Sequence, residues 1–490
     1  MPVQRARATV IPGDGVGPEI VRSAMRIIEA AGVPIDWEEA EAGAEVFRRG
    51  DSSGVPRETR ESIERTRVVL KGPLETPVGF GEKSANVTLR KLFETYANVR
   101  PARELPGVPT RYAGEAVDMI IVRENIEDLY AGIEHMQTPD VAQCLKIISR
   151  KGSEKVIRYA FELARREGRA KVTCATKANI MKLTEGLFKR VFEELAPEYP
   201  EVTAEHLIID NVAHQLAKNP AQFDVIVTTN LNGDIISDLA SGLVGGLGFA
   251  SSGNYGDDVA IFEAVHGSAP KYAGKDVINP TALILSSVMM LRHLGEPAAA
   301  DRVEGAVLYT LEQGRAVTQD LARQTGGDVE HAISTSGFTD TVIANLGQRP
   351  ASLPNRPWRA PGGTAAPQSR WSYAPERYAA MDRRLAGIDV MIESDLGPDE
   401  LGRDLEALAG GALRLESVAS RGTAVFPATG TTSDGVRWYT GRFVPRSELP
   451  PSEADLVSLV ARIGERHRWT QVERLQVFDG EPGFTKAQGQ

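Results

Sequence analysis

From Ala8 to about Asn345 one pattern recurs: a short, almost wholly apolar run, a polar turn, then a stretch with apolar residues every three or four positions. The first instance reads as a strand from Ala8 to Ile11, the turn PGDGVGPE, and a helix whose apolar face is Ile20, Val21, Met25, Ile27 and Ile28. Further strand-like runs lie at Val68 to Leu70, Met119 to Val122, Lys171 to Ala175, His206 to Ile209 and Val225 to Thr228. Helical patterns such as Glu154 to Glu167 separate them. This alternation predicts an α/β fold, a sheet covered by helices. The opening turn is not a Rossmann fingerprint, because Gly13, Gly15 and Gly17 give G-x-G-x-G and Pro18 takes the place of the third required glycine.

The texture changes after Asn345. Prolines at 350, 354, 357, 361, 367 and 375, with Gly362 and Gly363, mark residues 346–375 as a linker or extended arm. Beyond it the pattern gives a strand from Ile388 to Glu393 and a helix from Pro398 to Leu408. Strands follow from Arg414 to Val418 and Trp438 to Phe443, then a helix from Ser452 to Arg466 and a strand from Thr470 to Phe478. The order βαββαβ predicts a ferredoxin-like α+β domain over 376–490. No catalytic constellation stands out there, so assembly or stability is its expected role, with ligand sensing as the alternative.

At 490 residues the chain is too long for one core and should split into two or three domains. No apolar run is long enough to cross a bilayer, and MPVQRARATVIPGDG has no signal-peptide pattern. Cys144 and Cys174 are the only cysteines, which excludes a disulfide framework, fits a reducing cytoplasm, and suggests packing roles for both. A net charge of -10 argues against nucleic acid or a membrane surface as partner, but leaves room for small anions in a local basic cleft.

Such a cleft is suggested by GEKSANVTLRKLFETYANVRPAR and IIVRENIEDLYAGIE, which supply Ser84, Asn86, Arg90, Arg100, Arg123 and Tyr130. A guanidinium pairs two-on-two with a carboxylate, so three of them suit a small tricarboxylate. Any one of these arginines alone would read as a solvated surface charge; the cluster points to a ligand. Ser84 is expected to cap a helix whose apolar positions are Val87, Leu89, Leu92 and Phe93. In TTNLNGDIISDLASGLVGGLG, Asp234 and Asp238 lie four apart on one helical face and would repel without a cation between them. Asp210, in HLIIDNVAHQL, is a third acid at the end of an apolar strand. Three oxygen ligands suit Mg²⁺ or Mn²⁺ better than zinc. Lys177, in CATKANIMKLTEG, and Tyr130 can move protons. Together these groups suit oxidation of a secondary alcohol followed by loss of CO₂.

The motifs PGDGVGPEI, KGPLETPVG, SANVTLR, VRENIEDLYAGIE, ATKANIMK, NLNGDIISD and EAVHGSAPKYAGKDVINPTA run from residue 5 to about 345. In this order they resemble the decarboxylating β-hydroxyacid dehydrogenases, most closely the bacterial NADP-linked isocitrate dehydrogenases, and the C-terminal region resembles the minority with an extra domain. The resemblance implies a non-Rossmann isocitrate/isopropylmalate dehydrogenase-like fold. A large cofactor-binding domain would comprise 1–98 and 245–345, and a small dimerisation and metal domain 99–244. Ser84, Asn86, Arg90, Arg100 and Arg123 would bind isocitrate, Tyr130 would protonate the enolate, and Lys177 would support removal of the hydroxyl proton. Asp210, Asp234 and Asp238 would hold the metal. Lys177 and Asp210 would reach in from a second subunit, making a homodimer the minimum assembly, with the extra domain a route to a higher oligomer. For the cofactor, Lys271 and Tyr272 would hold the 2′-phosphate of NADP and Arg323 would add a contact. Thr76, Glu263, His266, Gly267, Ile278 and Asn279 would complete the site. Gln319 and Glu75 depart from the residues usual in NADP enzymes, tyrosine and threonine respectively. Polar Ser84 and Asn86 favour isocitrate over 3-isopropylmalate, with homoisocitrate a competitor. A noncatalytic regulatory subunit is the contrasting possibility, although such chains usually lack some catalytic residues.

Overall fold

The computed structural model describes residues 5–75, 84–352, 381–427 and 435–488. Thr76 and most of the expected linker lie outside the described residues. The described residues fall into two compact units, the first drawn from Met1–Ala131 and Lys146–Trp371, the second from Gly132–Leu145 and Ser372–Gln490.

The first unit is built on one ten-stranded sheet. Its first five strands are β1 (Ala6–Ile11), β2 (Ile35–Glu39), β3 (Val68–Lys71), β4 (Ala97–Arg103) and β5 (Asp118–Glu124). After a hairpin of β6 (Glu134–Thr138) and β7 (Val141–Cys144), the sheet continues with β8 (Lys171–Thr176), β9 (Thr203–Ile208), β10 (Val225–Thr228), β11 (Ser251–Tyr255) and β12 (Ala260–Ala264). The strand order is β2-β1-β3-β12-β11-β4-β5-β10-β8-β9. Pairing is parallel from β2 to β12 and again from β5 to β9, whereas β11 runs antiparallel to both β12 and β4, and β4 antiparallel to β5.

Helices cover both faces, which is why β3 and β10 are buried along their whole length and read as unbroken apolar runs. The helix Gly17–Ala30 buries Ile20, Val21, Ala24, Ile27 and Ile28 in one stripe, the periodicity read from sequence. Apolar packing forms several clusters. One joins that helix to the helices Thr281–His293 and Pro297–Gln313, and another joins β5, β8 and β10 to the helix Arg150–Glu167. The antiparallel seam is different. There β4 and β11 bury Asn98, Arg100, Ser252 and Asn254, polar groups that are costly to bury without partners.

The second unit contains β13 (Arg383–Glu393), β14 (Leu413–Ser420), β15 (Thr423–Phe426), β16 (Trp438–Pro445), β17 (Arg468–Phe478) and β18 (Glu481–Pro482). Four of these lie in the order β14-β16-β13-β17, all antiparallel, with the helices Pro398–Leu408 and Glu453–Gly464 as crossovers. This is the ferredoxin-like arrangement expected from sequence, with β15 and β18 added at the edges. Ile388, Val390 and Ile392 alternate toward a core shared with Leu401, Leu405, Leu459 and Ile463. Ser452 and Asp455 form a capping box that starts the second helix. The β6–β7 hairpin belongs to this unit and lies against β17. Cys174 is buried, but Cys144 on the hairpin is exposed, so only the first is a packing residue. Among the described residues no helix is long and apolar enough to cross a membrane.

Candidate active site

The site straddles the seam of the sheet. On β4 the two-residue period carries Asn98 and Arg100 to the same face. Arg100 Nε donates to Asn98 Oδ1 at 2.7 Å, and Nη1 donates to Ser237 Oγ at 2.7 Å. The same nitrogen stands 3.3 Å from Asp234 and 3.2 Å from Asp238. Those two aspartates do share a face of the helix Asn230–Leu243, and the cation between them is the Arg100 guanidinium.

Arg123, near the end of β5, is only 1% exposed. Its Nε and Nη2 donate to Asn230 Oδ1 at 3.1 and 2.8 Å, and Nη1 pairs with Asp234. Close approach here depends on Gly233, where a Cβ would come within 2.6 Å of Arg123 Cγ. Tyr130, in the turn Leu129–Ala131, donates its hydroxyl to Asp234 Oδ2 at 2.6 Å, and the Arg123 guanidinium lies 4.8 Å from its ring centroid. Burial raises the Tyr130 phenol above its ordinary value, and the bond to Asp234 adds to this. Burial, with Arg100 and Arg90 nearby, brings Arg123 down to about 10. For Asp234, burial is outweighed by Arg123 and Arg100, and its carboxyl is lowered. Asp238 is raised by burial, with Asp234 adding to the effect.

Across the seam, Arg90 Nη2 donates to Glu263 Oε1 at 2.9 Å, and fully buried Lys71 at the end of β3 pairs with the same carboxylate. Lys71 also donates to Asn86 Oδ1 at 2.8 Å. A cavity of about 320 Å³ is lined by Asn86, Arg90, Arg100, Glu263, His266 and Gly267, so residues expected for substrate and for cofactor share one space.

Ser84 stands at the N-cap of the helix Ala85–Leu92, but its hydroxyl accepts nothing from the first-turn amides. Its carbonyl serves the helix instead, accepting from the Thr88 amide at 2.9 Å. Leu92 also departs from expectation: it closes a helix of eight residues and stays half exposed, leaving Ala85 and Leu89 to anchor it. Asp210 is in the first turn of the helix Ile209–Lys218, one step past β9, where it pairs with Lys177 Nζ at 2.7 Å. That pair is separate from the Asp234–Asp238 pair. Among the described residues no three acidic, histidine or cysteine side chains gather closely enough to hold a metal ion. Asp234 and Asp238 nonetheless suit a hard cation, being carboxylates that are partly open and repel one another.

The cofactor candidates form two groups. Lys271 Nζ lies 4.9 Å from the Tyr272 ring centroid, and a hydrogen bond from Arg323 together with the Lys271 charge lowers the half-buried Tyr272 phenol. This small cationic cluster suits a phosphate. His266 Nε2 is buried with no hydrogen-bond partner among the described residues, an orphaned polar atom that suits contact with a cofactor, and burial lowers its pKa. Nothing would obstruct a side chain at Gly267. Asn279 Nδ2 donates to Asp320 at 3.0 Å, and Ile278 packs partly against the core. The opening glycine turn supports this region: Gly15 has φ 60°, and a Cβ there would lie 2.0 Å from Ser268 O.

Sequence reasoning did not single out Lys71, Asn98, Asn230 or Asn254. The available signal was a polar residue in, or directly after, an otherwise buried strand.

A family model described as isocitrate/isopropylmalate dehydrogenase matches residues 7–342. The chain belongs to this family. A second model, described as the bacterial isocitrate dehydrogenase C-terminal domain, matches residues 383–490. The NADP isocitrate dehydrogenase of Thermus thermophilus is 59% identical over 487 residues, covering 99% of this chain and 96% of that protein. The chloroplastic 3-isopropylmalate dehydrogenase of Solanum tuberosum is 51% identical over 310 residues, covering 63% of this chain and 86% of that protein. Among solved structures, the TT0538 protein of Thermus thermophilus superposes with a TM-score of 0.92 at 58% identity, covering 100% of this chain and 97% of that one. The isocitrate dehydrogenase of Methylococcus capsulatus gives a TM-score of 0.66 at 47% identity, covering 70% of this chain and 99% of that one. These matches bear out the family and fold expected from the motifs.

Proposed function

We propose that this chain is an NADP-dependent isocitrate dehydrogenase, converting isocitrate to 2-oxoglutarate and CO₂. The observation that carries this reading is the convergence of Arg100 and Arg123 on Asp234 beside the Tyr130 hydroxyl, with Arg90 on the wall of the adjoining cavity. Relatives of both substrate classes match the dehydrogenase region at about half identity, so that region alone does not choose between them. The C-terminal match and the full-length Thermus thermophilus relative favour isocitrate.

In the proposed reaction, Arg90, Arg100 and Arg123 take substrate carboxylates in place of their present carboxylate partners, with Ser84 and Asn86 adding polar contacts. NADP, when bound, would supply the nicotinamide that accepts hydride from the carbinol carbon, and the hydroxyl proton leaves by way of Lys177. The resulting β-keto acid loses CO₂, and the bonding pair becomes an enolate. Tyr130 then donates its proton to the enolate carbon, a role suited to a phenol held protonated at neutral pH. Asp234 and Asp238, with Asp210 of a second copy, would hold Mg²⁺ or Mn²⁺, which when bound supplies Lewis-acid polarisation of the substrate oxygen. Because Lys177 and Asp210 form their own exposed pair in this chain, we assign them to the site of a second copy, and the working unit to a homodimer. Residues 1–98 with 245–345, and 99–244, are assigned as its cofactor-binding and dimerisation halves. A role in further assembly is assigned to the C-terminal domain, and the cytoplasm as compartment. Lys271, Tyr272 and Arg323 are assigned to the 2′-phosphate of NADP, and Glu263, His266, Gly267, Ile278 and Asn279 to the rest of the cofactor.

The test is NADP and NAD reduction measured separately with isocitrate and Mg²⁺. Faster NADP reduction with matching CO₂ release is expected. Preference for NAD would overturn the phosphate assignment, and no turnover would overturn the enzyme.

A further inference from the structure

Between the substrate arginine and the cofactor wall lies a chain of buried amides. Asn254 on β11 donates Nδ2 to Glu263 Oε1 at 2.8 Å and to the Ile261 carbonyl at 3.1 Å. Both partners can only accept, so the amide has one orientation, with Oδ1 turned the other way. Oδ1 receives Asn98 Nδ2 at 2.9 Å and Asn125 Nδ2 at 3.0 Å. Asn98 is the direct cross-strand neighbour of Asn254. Its second amide hydrogen goes to Ser252 Oγ at 2.8 Å, which leaves its Oδ1 to accept from Arg100 Nε at 2.7 Å. Asn98 and Asn254 have no solvent exposure. The polar order is therefore fixed from the Glu263 carboxylate, through two amides, to the Arg100 guanidinium. An apolar pair at these strand positions would pack with less risk of unsatisfied groups.

We propose that Asn98 and Asn254 are positioning residues that couple the carboxylate subsite at Arg100 to the cofactor-facing carboxylate of Glu263, so that filling one prepares the other. The proposal rests on the assignment of Arg100 to substrate and Glu263 to cofactor. Neither asparagine lines the cavity, so each acts through the charged group it orients. A flip of either amide would set like groups against each other on both sides of it.

The test compares isocitrate affinity, by calorimetry, with and without NADPH, which binds without turning over. The full-length wild type is expected to bind isocitrate at least about fivefold more tightly with NADPH present. In Asn254→Ala and Asn98→Ser that ratio should collapse toward one, with KM for isocitrate raised about tenfold. Asn98→Ser is the smaller change and serves if Asn254→Ala does not fold. As control, Asn345→Ala removes a comparable bond to Thr310 Oγ1 (2.9 Å) and should lower Tm while keeping the wild-type ratio. Variants that lose Tm but keep the ratio would overturn the relay alone, as would a wild-type ratio of one. A wild type that binds no isocitrate would overturn the functional reading and the relay with it.

Discussion

Both units bury arginine–carboxylate pairs, but the pairs are built differently. In the C-terminal unit, Arg442 meets Asp389 through two parallel bonds of 2.8 and 2.7 Å between registered neighbours on β16 and β13. Its third nitrogen donates to the Thr485 carbonyl at 2.9 Å, and its plane faces Phe484 at 5.2 Å. One cation, one anion and a complete set of partners make a closed structural unit. In the first unit, Arg100 and Arg123 both reach Asp234, Arg90 and Lys71 both reach Glu263, and Tyr130 shares Asp234 as well. Cations outnumber carboxylates there, beside an open cavity. Concentrating like charges under burial costs stability unless an anion completes the set, so the excess positive charge marks a binding site and the balanced pair marks scaffolding.

The largest effect should come from the crowded side. Arg123→Leu is expected to lower kcat/KM for isocitrate about a thousandfold, because a buried charge-assisted contact is lost, while the fold survives by thermal melting. Next, Tyr130→Phe should lower kcat about a hundredfold with KM nearly unchanged, since the missing group acts on the proton and not on the carboxylates. A comparable rise in KM would make Tyr130 a binding residue. Asp234→Asn should weaken Mg²⁺ affinity about tenfold or more by calorimetry, and chelation should abolish turnover in the wild type. Unchanged metal affinity would contradict the assignment. On the balanced side, Arg442→Met should cost about 3–5 kcal/mol in stability and leave kcat/KM untouched; lost activity with retained fold would remove the distinction between the two regions.

The smallest effect concerns pH. Glu124 is 1% exposed, and burial, with Glu127 nearby, raises its carboxyl from 4.5 to about 8. Its folded pKa lies above the unfolded one, so this contribution is complete below pH 4.5 and is lost as pH rises through about 8. Glu124→Gln should match the wild type near pH 4.5 and melt a few degrees higher above pH 8. Parallel stability curves would show that Glu124 does not titrate in this window.

The fold was largely readable from the chain because periodicity reports burial, and strands such as β3, β5 and β10 stand out as apolar runs between helical stripes. The ferredoxin-like unit was legible for the same reason, down to Ser452 at its helix start. The site was legible only in part. Arg90, Arg100, Arg123, Asp234 and Tyr130 announced themselves as charged or phenolic groups clustered in short motifs, but Asn98, Asn254 and Asn230 are neutral and their importance depends on which strands become neighbours. The antiparallel seam that joins β11 to β4 is a long-range pairing that local pattern does not encode. Ser84 shows a related limit: the N-cap position was visible, while the direction of its hydroxyl depends on surroundings that a linear reading omits.

The most direct single measurement is kcat/KM for isocitrate against 3-isopropylmalate with NADP and Mg²⁺. A site with three guanidiniums and polar Asn86 should favour isocitrate by more than about a thousandfold, because an isopropyl group in place of the third carboxylate would leave a buried cation unpaired. Comparable values, or preference for 3-isopropylmalate, would mean that the excess buried positive charge does not read a third carboxylate.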